Sequence, residues 1–203
     1  MALNAPYATL AELKSYANAT KITHDALLAD ALDAASRGIE LVCHRQFNDA
    51  GSASARVYFP EDSGLVEVDD FHTVTGLVVK SDDGDDGAYE TTWAATDFDL
   101  RPLNGIVSGQ TGWPYNEIWA VGNRWFPRCA RRASIEVTAR WGWATVPKPV
   151  KQACLIIAEE LYKLKDAPFG VAGMDSYGTV RVRENPMAMK KLMPYIHHPI
   201  LVA

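Results

Sequence analysis

Residues 81–87 read Ser-Asp-Asp-Gly-Asp-Asp-Gly, a window of four carboxylates that an oxygen-seeking cation such as calcium could use. The spacing points elsewhere. The twelfth position counted from Asp82 is Trp93, where a calcium loop needs a bidentate glutamate. Asp-Gly steps are preferred turn chemistry, so the segment is expected to be a solvated hairpin turn between two strands. The five histidines, His24, His44, His72, His197 and His198, show no ligand spacing with Glu, Asp or Cys on one helix face. Cys43, Cys129 and Cys154 are odd in number and widely spaced, which predicts reduced thiols, with Cys154 in a helical core. No Gly-x-Ser-x-Gly elbow, Gly-x-x-x-x-Gly-Lys loop or Gly-x-Gly-x-x-Gly fingerprint occurs. The expectation is a protein with no catalytic residues, no metal and no cofactor.

Two other groups of residues suit binding rather than catalysis. Trp93, Trp113, Trp119, Trp125, Trp141 and Trp143 could stack on sugars or single-stranded bases, or simply fill a small sheet core. Arg124, Arg128, Arg131, Arg132, Arg140, Lys148 and Lys151 face only one acidic residue, Glu136, across the same stretch. This basic run could meet phosphate, or the acidic part of a neighbouring subunit. The net charge of −5 conceals a polarity that suits the second option at least as well, or else a solvated mixed surface: residues 1–120 hold 7 Lys+Arg against 19 Asp+Glu, and residues 121–203 hold 13 against 6. Arg124, Arg128, Arg131, Arg132, Lys148 and Lys151 are therefore the expected inter-subunit basic patch.

The elements that must carry these residues follow from periodicity. Thr9-Leu-Ala-Glu12 is a capping box opening a short helix to about Asn18. Leu28, Ala31, Leu32, Ala35, Ile39, Val42 and Cys43 recur at three and four residues, predicting a helix capped by Thr23 and ending near Phe47. Strands are expected at 55–59, 65–68, 74–80, 89–93, 98–101 and 134–141, with Ile135, Val137, Ala139 and Trp141 on one face of the last. The Gly- and Pro-containing stretch 105–122 reads as an extended loop. Pro147 then sits near the start of a helix to about residue 165, with a stripe of Val150, Ala153, Cys154, Ile157, Ala158, Leu161 and Leu164. Leu155 and Ile156 widen that stripe, so the helix is expected either to be central in the core or to be covered on a second side by another chain. A Gly-rich segment, a strand-like 179–183 and a short helix near Met187 to Met193 close the chain. The longest apolar run, Ala153 to Ala158, is far short of a membrane span. The start of the chain also lacks the pattern of a secretory signal, which suggests cytoplasmic assembly.

The fold class expected is α+β: a helical core of three main helices from residues 1–50 and 145–166, an inserted antiparallel β subdomain at 51–144, and an extended C-terminal arm at 167–203.

Three segments in this order resemble the head-tail connector (head-to-tail adaptor) family of tailed bacteriophages and prophages. The first runs from Tyr7-Ala-Thr-Leu-Ala-Glu-Leu-Lys14 through Asp25–Arg37 to Cys43-His-Arg-Gln-Phe47. The second is Thr96-Asp-Phe-Asp-Leu-Arg-Pro-Leu-Asn-Gly105, and the third is Ile135-Glu-Val-Thr-Ala-Arg-Trp-Gly-Trp-Ala-Thr-Val-Pro147 followed by Val150-Lys-Gln-Ala153 and the apolar helix. The resemblance implies a structural virion protein without enzymatic activity, forming a closed ring of about twelve copies beneath the portal protein. Its partners would be the portal and the next connector, stopper or tail protein, with DNA passing through the lumen without sequence-specific binding and no membrane contact. It also implies docking through the C-terminal arm, for which Phe169, Tyr177, Val180, Arg181, Val182, Arg183 and Tyr195 are the candidates. Residues 179–183 either add to another chain as an edge strand or close the protein's own β subdomain. The alternative function is a sugar- or nucleic-acid-binding β module on a helical scaffold.

Overall fold

A computed structural model describes residues 5–18, 24–128, 132–164 and 185–197. The chain divides into two compact units: Met1–Asn48 with Thr145–Leu201, and Asp49–Ala144 with Val202–Ala203.

The first unit is helical. Helix α1, Leu10–Tyr16, opens on the expected capping box: the Thr9 hydroxyl accepts from the Glu12 amide at 3.2 Å and the Glu12 carboxylate accepts from the Thr9 amide at 2.8 Å. Helix α2 spans Asp25–Cys43, with His24 rather than Thr23 at the N-cap position and no side-chain cap bond. It ends four residues before Phe47 because His44 turns left-handed at φ 51°. Helix α3, Lys148–Lys163, begins directly after Pro147, whose missing amide costs nothing there. The stripe Leu28, Ala31, Leu32, Ala35, Ile39 and Val42 of α2 is buried, as are Val150, Ala153, Cys154, Ile157 and Ala158 of α3. Ser36 of α2 is buried with its hydroxyl 3.4 Å from the Cys154 sulfur of α3. Leu155 and Ile156 are half-buried.

Helix α4, Pro186–Leu192, belongs to this helical unit. Asn185 caps it, accepting from the Ala188 amide at 2.8 Å while its own amide donates to Glu160 of α3. Lys191 reaches Gln152 of α3 at 2.8 Å, and the His197 amide donates to the Cys43 carbonyl at 2.9 Å. The final described residues are thus packed into the helical core, not extended from it. Residues 165–184, including the strand-like 179–183, lie outside the described residues.

The second unit is antiparallel β. Its strands are β1 Ser54–Tyr58, β2 Leu65–Phe71, β3 Val78–Ser81, β4 Thr91–Thr92, β5 Phe98–Arg101, β6 Ile106–Val107, β7 Gln110–Thr111, β8 Tyr115–Ala120 and β9 Ile135–Ala139. A four-stranded sheet runs β1-β9-β3-β4, a three-stranded sheet runs β2-β8-β5, and β6-β7 is a separate hairpin. Strand β9 is central in the first sheet, and Ile135, Val137, Ala139 and Trp141 all face the core. The stretch expected as an extended loop, 105–122, instead supplies the hairpin and β8, the middle strand of the second sheet. Pro114 and Gly122 lie outside β8 and bound it, so neither interrupts the ladder. The core of this unit gathers Val66, Val68, Phe71, Val79, Trp93, Phe98, Ile118, Phe126, Ile135, Val137, Ala139 and Trp141. The fold class is α+β, as the change of period along the chain predicts.

Candidate assembly surfaces

The acidic turn is built as a hairpin connection. Strand β3 ends at Ser81, β4 begins at Thr91, and the Asp82 side chain is buried between them, accepting from the amides of Gly87 at 2.7 Å and Asp86 at 3.3 Å. Asp83 is held by the hydroxyls of Ser81 at 2.8 Å and Thr91 at 2.6 Å. Carboxylate oxygens of Asp82, Asp86 and Glu90 come within 4.8 Å of one another, with Asp86 and Glu90 exposed. Gly87 carries φ +91°, and the Arg132 guanidinium lies where its Cβ would stand. Arg132 therefore sits against the acidic turn of its own unit.

The other residues of the basic run between 124 and 151 are also placed by local carboxylates, or are spread over both units. Arg124 pairs with Asp97 at 3.2 Å and lies 5.9 Å from the centroid of the Trp93 ring. Lys151 pairs with Glu12 at 2.6 Å within the helical unit. That bond, together with the Thr9 amide, holds the Glu12 carboxyl down at about 2. Arg140 clasps Asp49 with two nitrogens, and this hydrogen bonding keeps the Asp49 carboxyl below the usual range. Arg128 and Lys148 are exposed, the first in the β unit and the second in the helical unit. Arg131 lies outside the described residues.

Of the docking candidates, only Tyr195 is described. It is 8% exposed, and its ring meets Phe47 edge-on at 6.0 Å, while Phe47 meets Tyr7 edge-on at 5.6 Å. Tyr195 is a core residue of the helical unit, and burial raises its phenol above the ordinary value. The reason is the short 3-10 turn at Met193–Tyr195, which folds the ring back after α4. Phe169, Tyr177, Val180, Arg181, Val182 and Arg183 lie outside the described residues.

Most of the tryptophans are structural. Trp93 stacks on Phe126 at 4.4 Å and donates to the Ser81 hydroxyl at 3.0 Å. Trp141 donates to the Ser54 carbonyl and Trp143 to Asp70, each at 2.8 Å. Trp119 lies under the Arg101 guanidinium at 4.1 Å and donates to Glu117 at 2.7 Å. Trp113 is half-buried with its ring 5.1 Å from Trp143. Trp125 alone among the six is broadly exposed, at 66%. A stacking platform needs adjacent free rings, so this arrangement gives the sugar- or base-binding alternative little to stand on.

The described cysteines are buried thiols. Burial pushes Cys43 up to about 12 and raises Cys154, which lies 3.4 Å from the Ser36 hydroxyl. Neither has the electropositive, open setting of a nucleophile.

Sequence reasoning missed the exposed apolar positions. Val57 and Phe59 on or just after β1 are more than half exposed, as are Val74, Leu103 and, in the helical unit, Leu41, Met187 and Met193. The alternation of Val57 and Phe59 with Arg56 and Tyr58 is the signal that marks β1 as two-faced.

Two units, one helical and one a pair of antiparallel sheets with no assembled catalytic constellation among the described residues, define the class of fold. No family model matches the sequence, and no curated protein matches it. Among solved structures, the chain is similar to a component of the neck of an empty gene transfer agent particle computed with C6 symmetry, at TM-score 0.57 and 19% identity, covering 98% of this chain and 95% of that one. It is also similar to a component of the virion of a native gene transfer agent particle, at TM-score 0.54 and 21% identity, covering 99% of this chain and 95% of the other. The fold, helices and inserted sheets together, is shared across the whole length.

Proposed function

We propose that this chain is a structural virion protein, a head-to-tail adaptor that forms a ring beneath the portal, extends the DNA channel and joins the capsid to the tail. The observation that carries this reading is the end-to-end likeness to a component of a gene transfer agent neck, which includes the β insertion and not the helices alone. The connector resemblance of the three sequence segments points the same way. A ring of about twelve copies fits a six-fold symmetric neck, because twelve is a multiple of six. No enzymatic step is assigned to it. DNA would pass through the lumen without base-specific contacts.

In this reading each copy offers one surface and receives another, a heterologous contact that closes on itself. Arg128 and Lys148, both exposed, are the patch residues proposed to meet the acidic surface of the next copy. Exposed ion pairs contribute only about 0–1 kcal/mol each, so they orient the contact while apolar area supplies most of the affinity. Negative-stain imaging and mass measurement of the purified full-length chain, alone and with portal protein, test the proposal. Closed rings that cap the portal are expected. A protein that stays monomeric at high concentration and does not bind portal would refute it.

A further inference from the structure

Strand β1 is an open edge. Among the described residues it is hydrogen-bonded to β9 on one side only. One face of it is apolar and bare: Ala55 is exposed, Val57 is 53% exposed and Phe59, just beyond the strand, 57%. The other face carries Arg56 and Tyr58, which both bond the same oxygen of Asp69, Oδ2, at 2.6 and 2.8 Å. Arg56 is also drawn over the Trp141 ring at 4.6 Å. The Asp69 side chain remains 57% exposed with Oδ1 still to offer. In sequence, residues 59–69 contain Glu61, Asp62, Glu67 and Asp69 and no Lys or Arg, while Asp70 is buried and accepts from Trp143.

Proteins usually guard such an edge with outward lysines, a proline, a bulge or a covering segment, because unpaired backbone groups beside apolar side chains recruit other strands. Here the only charge on β1 is turned inward toward Asp69, and Pro60 comes after the strand has ended. We propose that residues 179–183 of a second copy add to this edge as a fifth strand. The segment reads Thr-Val-Arg-Val-Arg, five residues to match the five of β1. Period two puts Val180 and Val182 on one face, where they cover Val57 and Phe59, and Arg181 and Arg183 on the other, toward Asp69. Main-chain bonds supply affinity and the two faces set the orientation, as in other strand additions. This inference rests on the assembly reading above and names its contact: each copy gives a strand and receives one.

The test uses cysteine pairs in the full-length chain with Cys129→Ser, since Cys43 and Cys154 are buried. Val57→Cys is combined with Val180→Cys in one variant and with Val182→Cys in another, because a disulfide forms only when the Cβ atoms come within about 4.5 Å. Mild oxidation is expected to give a ladder of covalent multimers in at least one variant, collapsing on reduction. Adding Asp69→Asn is expected to lower the cross-linked fraction by up to about five-fold, the scale of an exposed ion pair. Only monomer in both variants, whether internally bridged or unbridged, overturns the proposal. The particle mass of the same samples separates the two readings. Closed rings without cross-links sink the strand addition and leave the adaptor, whereas cross-linked multimers that never close support the strand addition and sink the ring.

Discussion

Replacing Tyr7 with Phe tests how the helical unit is tied together. The Tyr7 hydroxyl donates to Glu40 at 2.6 Å and accepts from the Phe47 amide at 3.1 Å, while the Tyr7 amide donates to Ser36 at 3.0 Å. Burial, and then the Glu40 carboxylate, raise the phenol far above its ordinary value, so it stays protonated and keeps donating in alkaline solution. The ring is 2% exposed and packs edge-on to Phe47, contacts that Phe retains. Glu40 also keeps its bond to Arg37 at 2.8 Å. The change therefore isolates the hydroxyl, and above all the acceptor it offers a buried amide. Removing such a partner costs about 1–3 kcal/mol. With a urea slope of about 1–3 kcal/mol/M, the midpoint of the helical transition should fall by roughly 1 M. All six tryptophans lie between residues 93 and 143, in the β unit, so their fluorescence reports that unit while circular dichroism at 222 nm is dominated by the helices. The expected result is a lowered circular-dichroism midpoint with the fluorescence midpoint in place. A variant whose circular-dichroism midpoint stays where the parent's lies would refute the reasoning.

Gly87→Ala should destabilise the β unit by about 1–3 kcal/mol, read as a lower fluorescence midpoint, because the new methyl meets Arg132 at a positive φ of +91°; an unchanged midpoint would mean the turn relaxes freely. Glu12→Gln should lower stability near neutral pH, and the deficit relative to the parent should shrink as pH falls from the ordinary carboxyl range toward about 2. The sign follows from a folded-state value below the unfolded one: the stabilisation is present above the unfolded value and is lost as the carboxylate takes up its proton. A deficit that grows on acidification would contradict it, and added salt should shrink the effect because the pair is partly exposed. In a Cys129→Ser background, Cys43 and Cys154 should react with a thiol reagent at pH 8 only after denaturant is added, since burial holds both thiols protonated; a fast native-state reaction would rule that out. Arg128→Glu with Lys148→Glu should weaken ring assembly without moving either unfolding midpoint, and undiminished assembly would count against that charge pairing but not against a ring.

The helices were legible because their signals are local. A capping box, a proline at a first turn and apolar spacing of three and four are all contained within a few residues, and α1, α2 and α3 appear where those signals lie. The strand β9 was equally plain, since its alternation is uninterrupted. Strand β8 was hidden by its surroundings: Gly105, Gly109, Gly112 and Pro114 precede it and Gly122 follows, so turn chemistry outweighs six residues, Tyr115 to Ala120, that contain no breaker at all. Its half-buried flanks, with only Ile118 fully covered, also blur the alternation that a one-sided strand would show.

Charge reads differently once the chain is folded. A count along the chain gives an acidic first part and a basic last part, yet folding brings the two together at short range. Asp49 meets Arg140, Asp97 meets Arg124, Glu12 meets Lys151 and Glu136 meets Lys80, each pair joining an early residue to a late one within a single unit. Three of these pairs, Asp49–Arg140, Asp97–Arg124 and Glu12–Lys151, join an early acid to a late base, so part of the polarity in sequence is met inside each unit. The surfaces proposed to meet a neighbouring copy are the bare apolar face of β1, with Asp69 beside it, and the exposed Arg128 and Lys148. Since exposed ion pairs are weak and main-chain ladders with apolar cover are not, the edge of β1 is the surface on which an assembly of these chains should depend most strongly.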